Sequence, residues 1–268
     1  MAQVGVAFFL LLALLLSPAK AVAAPLADRC LAVSEAPRPH TPVAVKPGAL
    51  EPNEVRLNFI GHSTWLIESA AGLRIATDYN DYVRPDVVPD VITMNRAHTT
   101  HYSNFPDPGI KYVLRGWNPE GGPAKHDLTV LDVRIRNVAT NIRDWGGGHV
   151  PYGNSIFIFE VAGLCIGHLG HLHHTLTDAQ VAAIGQLDVV MVPVDGSYTM
   201  DVAGVVEVLK TLRARLVLPM HYFNPYTLNR FLERIRNDFP VEMAAEPSLV
   251  VSQLTLPPEP KVLVLPGH

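Results

Sequence analysis

His168, His171, His173 and His174 fall within seven residues, directly after an apolar run with strand character, and the chain has twelve histidines in all. Neutral imidazole is the commonest protein ligand for zinc and also suits iron, copper and nickel, so this crowding points to a metal. His98 and His101 follow the apolar run 91–94, and His221 follows the run 216–220. Three strand ends therefore each present imidazole, and their convergence would build a coordination sphere.

The elements that must position these residues are readable from periodicity. Residues 55–59 alternate at period two, as a half-buried strand does. Further strand candidates cover 63–68, 73–77, 91–94, 112–114 and 130–138, each bounded by Gly, Pro, Asp or Asn. Residues 155–161 and 164–167, joined at Ala162 and Gly163, predict a hairpin whose second strand delivers His168. Beyond it helix and strand alternate. A helix over 177–184, capped by Thr175 or Thr177, precedes a buried strand over 189–194. A helix over 201–213, with Val205, Val206, Val208, Leu209 and Leu212 facing the core, precedes the strand 216–220. A helix over 226–238 and strands over 249–256 and 261–265 complete an α/β arrangement, strands first and alternating units later.

Composition bounds the partners. Of 268 residues, 48% are hydrophobic, enough for one large core or two small domains. Residues 6–16 are apolar and uncharged and lead to a small-residue stretch at 21–24, which predicts a secretory signal over 1–23. Eleven apolar residues fall short of the roughly 20 a spanning helix needs, so the expectation is a cleaved, periplasmic or secreted protein with no stable membrane span. Cleavage removes Lys20 and no acid, taking the formal charge from −4 to −5, and no basic run interleaved with aromatics appears. Nucleic acid is thereby excluded as a partner. Residues 24–54 are rich in Pro and Ala and read as an extended leader to a domain over 55–268. Cys30 and Cys165 can pair in an exported protein. Since Cys165 lies in an apolar strand candidate and Cys30 in the leader, a buried free thiol at Cys165 is the plainer reading.

Six segments in order, Gly61-His62-Ser63-Thr64-Trp65, Arg96 through His101, Gly153-Asn154, His168 through His171, Val192 through Gly196, and Pro219 through Tyr222, give a chain that resembles the metallo-β-lactamase fold, in its lactonase-like and phosphodiesterase-like hydrolase branch. The resemblance spans about residues 55–256. It implies a four-layer αββα sandwich with a metal site at the rim between two sheets. It also implies metal-activated water that hydrolyses a lactone, amide or phosphoester. The chain departs from the family's loop, His-x-His-x-Asp-His, by carrying Arg96 and Thr100 in place of a histidine and the aspartate. The family's later aspartate corresponds to His171, and its mid-chain histidine falls near Arg143 and Asp144, with His149 close by. Arginine stays protonated and offers no lone pair, so a standard dinuclear site is not expected.

The resulting expectation is one divalent metal, Zn in the first place and Fe or Mn otherwise, held by His101, His171 and His221, with His98 as a fourth ligand or an orienting group. Arg96 would fill the space of the missing metal or clamp a substrate anion, and Asp195 is the candidate base. The substrate would be a small anionic ester, lactone or phosphoester. The competing class is a catalytically silent relative that binds a metal or ligand, which the loss of the aspartate at Thr100 favours; a redox metal centre is a third. Plainer roles are expected elsewhere: His168 as a hydrogen-bonded structural residue, His173 and His174 mostly exposed, His62 as a loop brace, and Asp78 as a residue that orients the His98 to His101 loop. His40, His126 and His268 look solvated, and the loop of Trp145 with Gly146, Gly147 and Gly148 is either a cover for the pocket or a tight turn.

Overall fold

The computed structural model describes Met1, Cys30, Leu31 and residues 49–144 and 146–267. The expected signal over 1–23, most of the leader, and Trp145, His40 and His268 lie outside the described residues. The alternation at the start of the domain becomes β1 (Val55–Gly61), which buries Val55, Leu57 and Phe59 and leaves Arg56, Asn58 and Ile60 partly exposed. The strands β2 (Thr64–Ser69), β3 (Arg74–Ala76), β4 (Val91–Met94) and β5 (Tyr112–Arg115) follow it. Next come β6 (Asp127–Val130), β7 (Val133–Arg143), β8 (His149–Val161), β9 (Leu164–His168), α1 (Asp178–Ile184) and β10 (Val189–Pro193). The chain ends with α2 (Val202–Leu212), β11 (Leu216–Met220), α3 (Pro225–Ile235), β12 (Val241–Met243), β13 (Ser248–Val251) and β14 (Lys261–Val264).

Two sheets result. One has six strands in the order β13-β1-β2-β3-β4-β5, and the other has eight in the order β12-β14-β11-β10-β9-β8-β7-β6. Their facing sides share a core that includes Leu57, Trp65, Ile67, Ile135, Phe157, Phe159, Met191 and Leu218. The three helices among the described residues pack on the outer side of the eight-stranded sheet, through Ile184, Val205, Leu209, Phe231 and Ile235. The helix starts carry the expected signals: Thr177 and Asn224 form capping boxes and Asp201 caps α2. On the outer side of the six-stranded sheet, Tyr79 and Ile110 from irregular segments cover Ile92 and Met94. This is the expected α/β sandwich, with helices confined, among the described residues, to one outer layer. No helix among the described residues is long and apolar enough to cross a membrane.

The structure corrects three readings. The single strand expected over 130–138 is two, β6 and β7, because the chain turns at Leu131 (φ 51°) and Asp132. The Asp132 carboxylate anchors that turn by accepting from Ser69 Oγ at 2.6 Å and Ala71 N at 3.3 Å. The hairpin arm β8 begins at His149, well before residue 155, and pairs with β7 over most of its length. Finally, Cys165 is no free thiol: Cys30 and Cys165 form a disulfide with their Cα atoms 5.7 Å apart. Cys30 is buried, and its carbonyl accepts from Gln186 N at 2.9 Å, just past the end of α1. The leader thus folds back onto the domain at this point.

Candidate metal centre

Parallel pairing decides where the histidines meet. β9, β10 and β11 are adjacent and parallel, so their C-terminal ends open on one edge and carry His171, Asp195 and His221 in turn. In the other sheet β3, β4 and β5 are also parallel, and their ends carry Asp78, then Asn95 through His101. The turn between β1 and β2 adds His62. Three of these residues hold left-handed backbone that costs a non-glycine residue free energy: His62 (φ 50°), Asp78 (φ 42°) and His221 (φ 57°). A tight contact from His221 N to the His62 carbonyl, 2.6 Å, fixes two of them against each other.

Five imidazoles come together. The ring of His101 stands 4.9 Å from His171, 5.0 Å from His221 and 5.1 Å from His62, centroid to centroid. His171 is in turn 4.9 Å from His98 and 5.1 Å from His221. Nitrogen atoms of His62, His101 and His221 all lie within 4.8 Å of one another. His62, read from sequence as a brace, therefore belongs to the cluster, and it also bonds Ser63 Oγ at 3.1 Å through Nδ1.

The surroundings prepare these rings as ligands. His101 Nδ1 donates to Asp78 Oδ2 at 2.6 Å, which fixes the tautomer and turns the Nε2 lone pair away from Asp78. That Nε2 lies 3.1 Å from His221 Nε2. Ligand bonds of about 2.0–2.1 Å give a tetrahedron an edge near ~3.3 Å, so the spacing suits two nitrogens on one ion. His221 Nδ1 sits 3.2 Å from Asp195 Oδ1, off the hydrogen-bonding line, and has no hydrogen-bond partner. Both ring nitrogens of buried His171 lack a partner as well. Buried polar atoms are rarely left unpaired, and a cation that takes the one lone pair of a neutral His171 ring would satisfy the nitrogen that carries it. Burial pushes His62 down to about 4, with His221 adding to the effect. Burial likewise lowers His98, and drives His101 and His171 well below the ordinary imidazole value. These rings are neutral at pH 7, the form that binds metal.

Asn95 ties the six-stranded sheet to β8, and Asn154 fixes the loop after β9. Asn95 Nδ2 donates to Asp78 Oδ1 at 2.9 Å while its Oδ1 accepts from Ser155 N at 2.7 Å. Asn154 Oδ1 accepts from His171 N at 2.8 Å. Gly170 (φ +58°) makes this possible, because a Cβ there would collide with Asn95 and Asn154.

The remaining candidates fall outside the cluster. His168 donates through Nε2 to the Ser63 carbonyl at 2.9 Å and accepts from Gly170 N, a structural role. His173 bonds the Asn141 carbonyl and His149 Nδ1, and His174 Nε2 accepts from Asn141 N. His173 is buried, which corrects the expectation of exposure, and it braces the β7–β8 arm. Arg96 is exposed on the loop ahead of His98, with its backbone N held by the Gly153 carbonyl. Burial alone would raise the Asp195 carboxyl, yet His221 and the donors of Thr199 and Ser197 hold it well below the usual carboxylate range. Its oxygens accept from Ser197 N, Ser197 Oγ, Tyr198 N and Thr199, so it shapes the loop that follows β10.

A family model described as the beta-lactamase superfamily domain matches residues 56–221. The chain belongs to that family. A UPF0173 metal-dependent hydrolase of Thermoplasma volcanium is 24% identical over 195 residues, 63% of this chain and 84% of that protein. A second UPF0173 metal-dependent hydrolase, from Salinibacter ruber, is 25% identical over 195 residues, 62% of this chain and 84% of its own. Among solved structures, a protein of Thermotoga maritima assigned to the Zn-dependent hydrolases of the metallo-beta-lactamase superfamily superposes with a TM-score of 0.58 at 28% identity. That likeness covers 80% of this chain and all of the other. The fold is thus the metallo-β-lactamase sandwich, and the histidine edge is where the two sheets open.

Proposed function

We propose that this chain is an exported metal-dependent hydrolase that binds one divalent metal, Zn in the first place, and acts on a small anionic ester, lactone or phosphoester. One observation carries the reading: buried, neutral imidazoles gather with unpartnered nitrogens at a single sheet edge. His101 and His221 are the pair common to every ligand combination, with His171 and His62 completing the set and His98 beside His171. When bound there, a divalent ion supplies acidified water and a Lewis acid for the substrate oxygen. The chain's own residues do the rest. Asp78 holds His101 through Nδ1, Asp195 faces His221 Nδ1, and both keep the Nε2 atoms directed at one point. Exposed Arg96 offers a planar, permanently charged fork to an anionic group arriving at the mouth. The Cys30–Cys165 disulfide supports export, since such bonds persist in oxidising compartments.

The test is elemental analysis of the mature protein, purified without chelator or His tag, beside His62→Ala, His101→Ala and His171→Ala. About one equivalent of metal, lost in His101→Ala and His171→Ala, is expected. Full occupancy in His171→Ala would remove that residue from the ligand set, and two equivalents would mean a dinuclear site. Thr100 in the place of the family's aspartate favours the second reading, a silent metal-binding relative. Loaded protein that turns over no member of a panel of esters, lactones and phosphodiesters would decide for it.

A further inference from the structure

Two aromatic rings stand half in solvent against the histidine cluster. Tyr198 is 57% exposed and Phe223 51%. They meet edge to face, centroids 5.6 Å apart at 79°. Tyr198 leans on His98 at 6.0 Å and 90°, and Phe223 on His221 at 5.3 Å and on His62 at 6.0 Å. The pair therefore borders the cluster from His98 across to His62. Neither ring is on a loose tip. Tyr198 N donates to the Asp195 carboxylate at 2.6 Å, and Phe223 N donates to Thr227 Oγ1 at 3.2 Å at the start of α3. The loops that carry them leave the neighbouring parallel strands β10 and β11, the same strands that deliver Asp195 and His221.

Paired rings this far exposed forgo the burial that large aromatics usually find, while their backbones are already fixed. A ligand that covers them gains apolar contact with little further ordering of the protein. Resting on the hydrolase reading above, we infer that Tyr198 and Phe223 are specificity-determining residues that receive an aryl or medium-chain acyl arm of the substrate. The scissile group reaches the histidines, and the apolar arm lies across the two rings. The substrate class narrows accordingly to esters or phosphoesters with an apolar substituent of phenyl size or larger.

Hydroxamates separate the two readings, because their head binds metal without being turned over. Metal-loaded full-length protein is titrated calorimetrically with acetohydroxamate and benzohydroxamate. Benzohydroxamate is expected to bind about tenfold tighter, a preference of about 1.4 kcal/mol. Tyr198→Ala and Phe223→Ala should each cut that preference to threefold or less. Phe223→Tyr should restore it, and Leu254→Ala, an exposed leucine elsewhere, should leave it intact. Equal binding of the two probes by the wild type, or an unchanged preference in both alanine variants, overturns the inference. Parallel loss of both probes in the alanine variants also overturns it, since the rings would then serve the centre itself. Intact preference with no turnover of any ester would instead remove the hydrolase reading and leave the apolar site standing.

Discussion

Replacing Cys30 and Cys165 by alanine together should destabilise the domain more than any single surface change, and the size of the effect follows from chain topology. The bond closes a loop spanning 135 residues. In the chain-entropy treatment, a crosslink over that span removes about 17 cal/mol/K from the unfolded ensemble, or about 5 kcal/mol at 25 °C. Residual structure in the unfolded chain lowers the realised value, so about 3–5 kcal/mol is expected. Loss of the bond also frees the Cys30 carbonyl from Gln186 N, a contact at the end of α1. For a domain of this size each kcal/mol moves Tm by about 2–4 °C, which predicts a fall of about 10 °C. Differential scanning calorimetry of oxidised wild type, reduced wild type and the double variant measures it. Reduced wild type separates the crosslink from the small cavity that alanine leaves at Cys165. Peptide mapping under non-reducing conditions should recover Cys30 and Cys165 on one linked species. Two titratable thiols in the denatured, unreduced protein, or a Tm shift under 2 °C, would refute the reasoning.

Gly170→Ala should lower stability by about 2 kcal/mol, since the added Cβ meets Asn95 and Asn154 in left-handed backbone, and should reduce bound metal through displacement of His171; thermal melts and elemental analysis check both. Asp78→Asn removes the carboxylate that orients His101 and should weaken metal affinity about 10–100-fold in a competitive chelator titration, with the fold retained by circular dichroism. Acidification should destabilise the protein through His173, which burial holds down to about 4 against 6.5 for a free imidazole. Between those values the unfolded chain binds a proton that the native state refuses, so stability is full above pH 6.5 and falls as the pH drops towards 4. Discounted for solvent screening, the difference between pH 7 and pH 5 is about 1 kcal/mol, and His173→Asn should flatten the urea-midpoint profile by that amount.

How much of the site could be read beforehand depended on where each residue sits in its element. His98, His101, His171 and His221 follow apolar runs, and a strand end is visible as the place where such a run stops. His62 gives no such signal. It occupies a turn between two strands in left-handed backbone, and only the pairing of β1 with β2 brings that turn to the metal edge. The sequence hint was a histidine between two strand candidates, weak without the sheet order. Asp195 is a different case. Its position beside the cluster was legible, but its donors come from the backbone of residues 197–199, which no pattern announces. A lone acidic residue near imidazoles reads as a base until those donors are seen. Cys30 depended on a leader whose composition argues against order, and its burial rests on a contact with the end of α1 that periodicity cannot encode.

The same topology sets the spacing of the histidine cluster. β9, β10 and β11 are consecutive parallel strands, so His171, Asp195 and His221 leave one edge side by side. The opposing sheet contributes His101 and Asp78 from strands that end at the same level. Arg96 and Thr100 lie on a single loop, whereas the imidazoles of the cluster come from both sheets and from the β1–β2 turn. Their positions are set by sheet register and by the Asn95 link to Ser155 N across the two sheets, not by that loop's own composition. A centre built across two sheets in this way keeps its spacing when one ligand is exchanged.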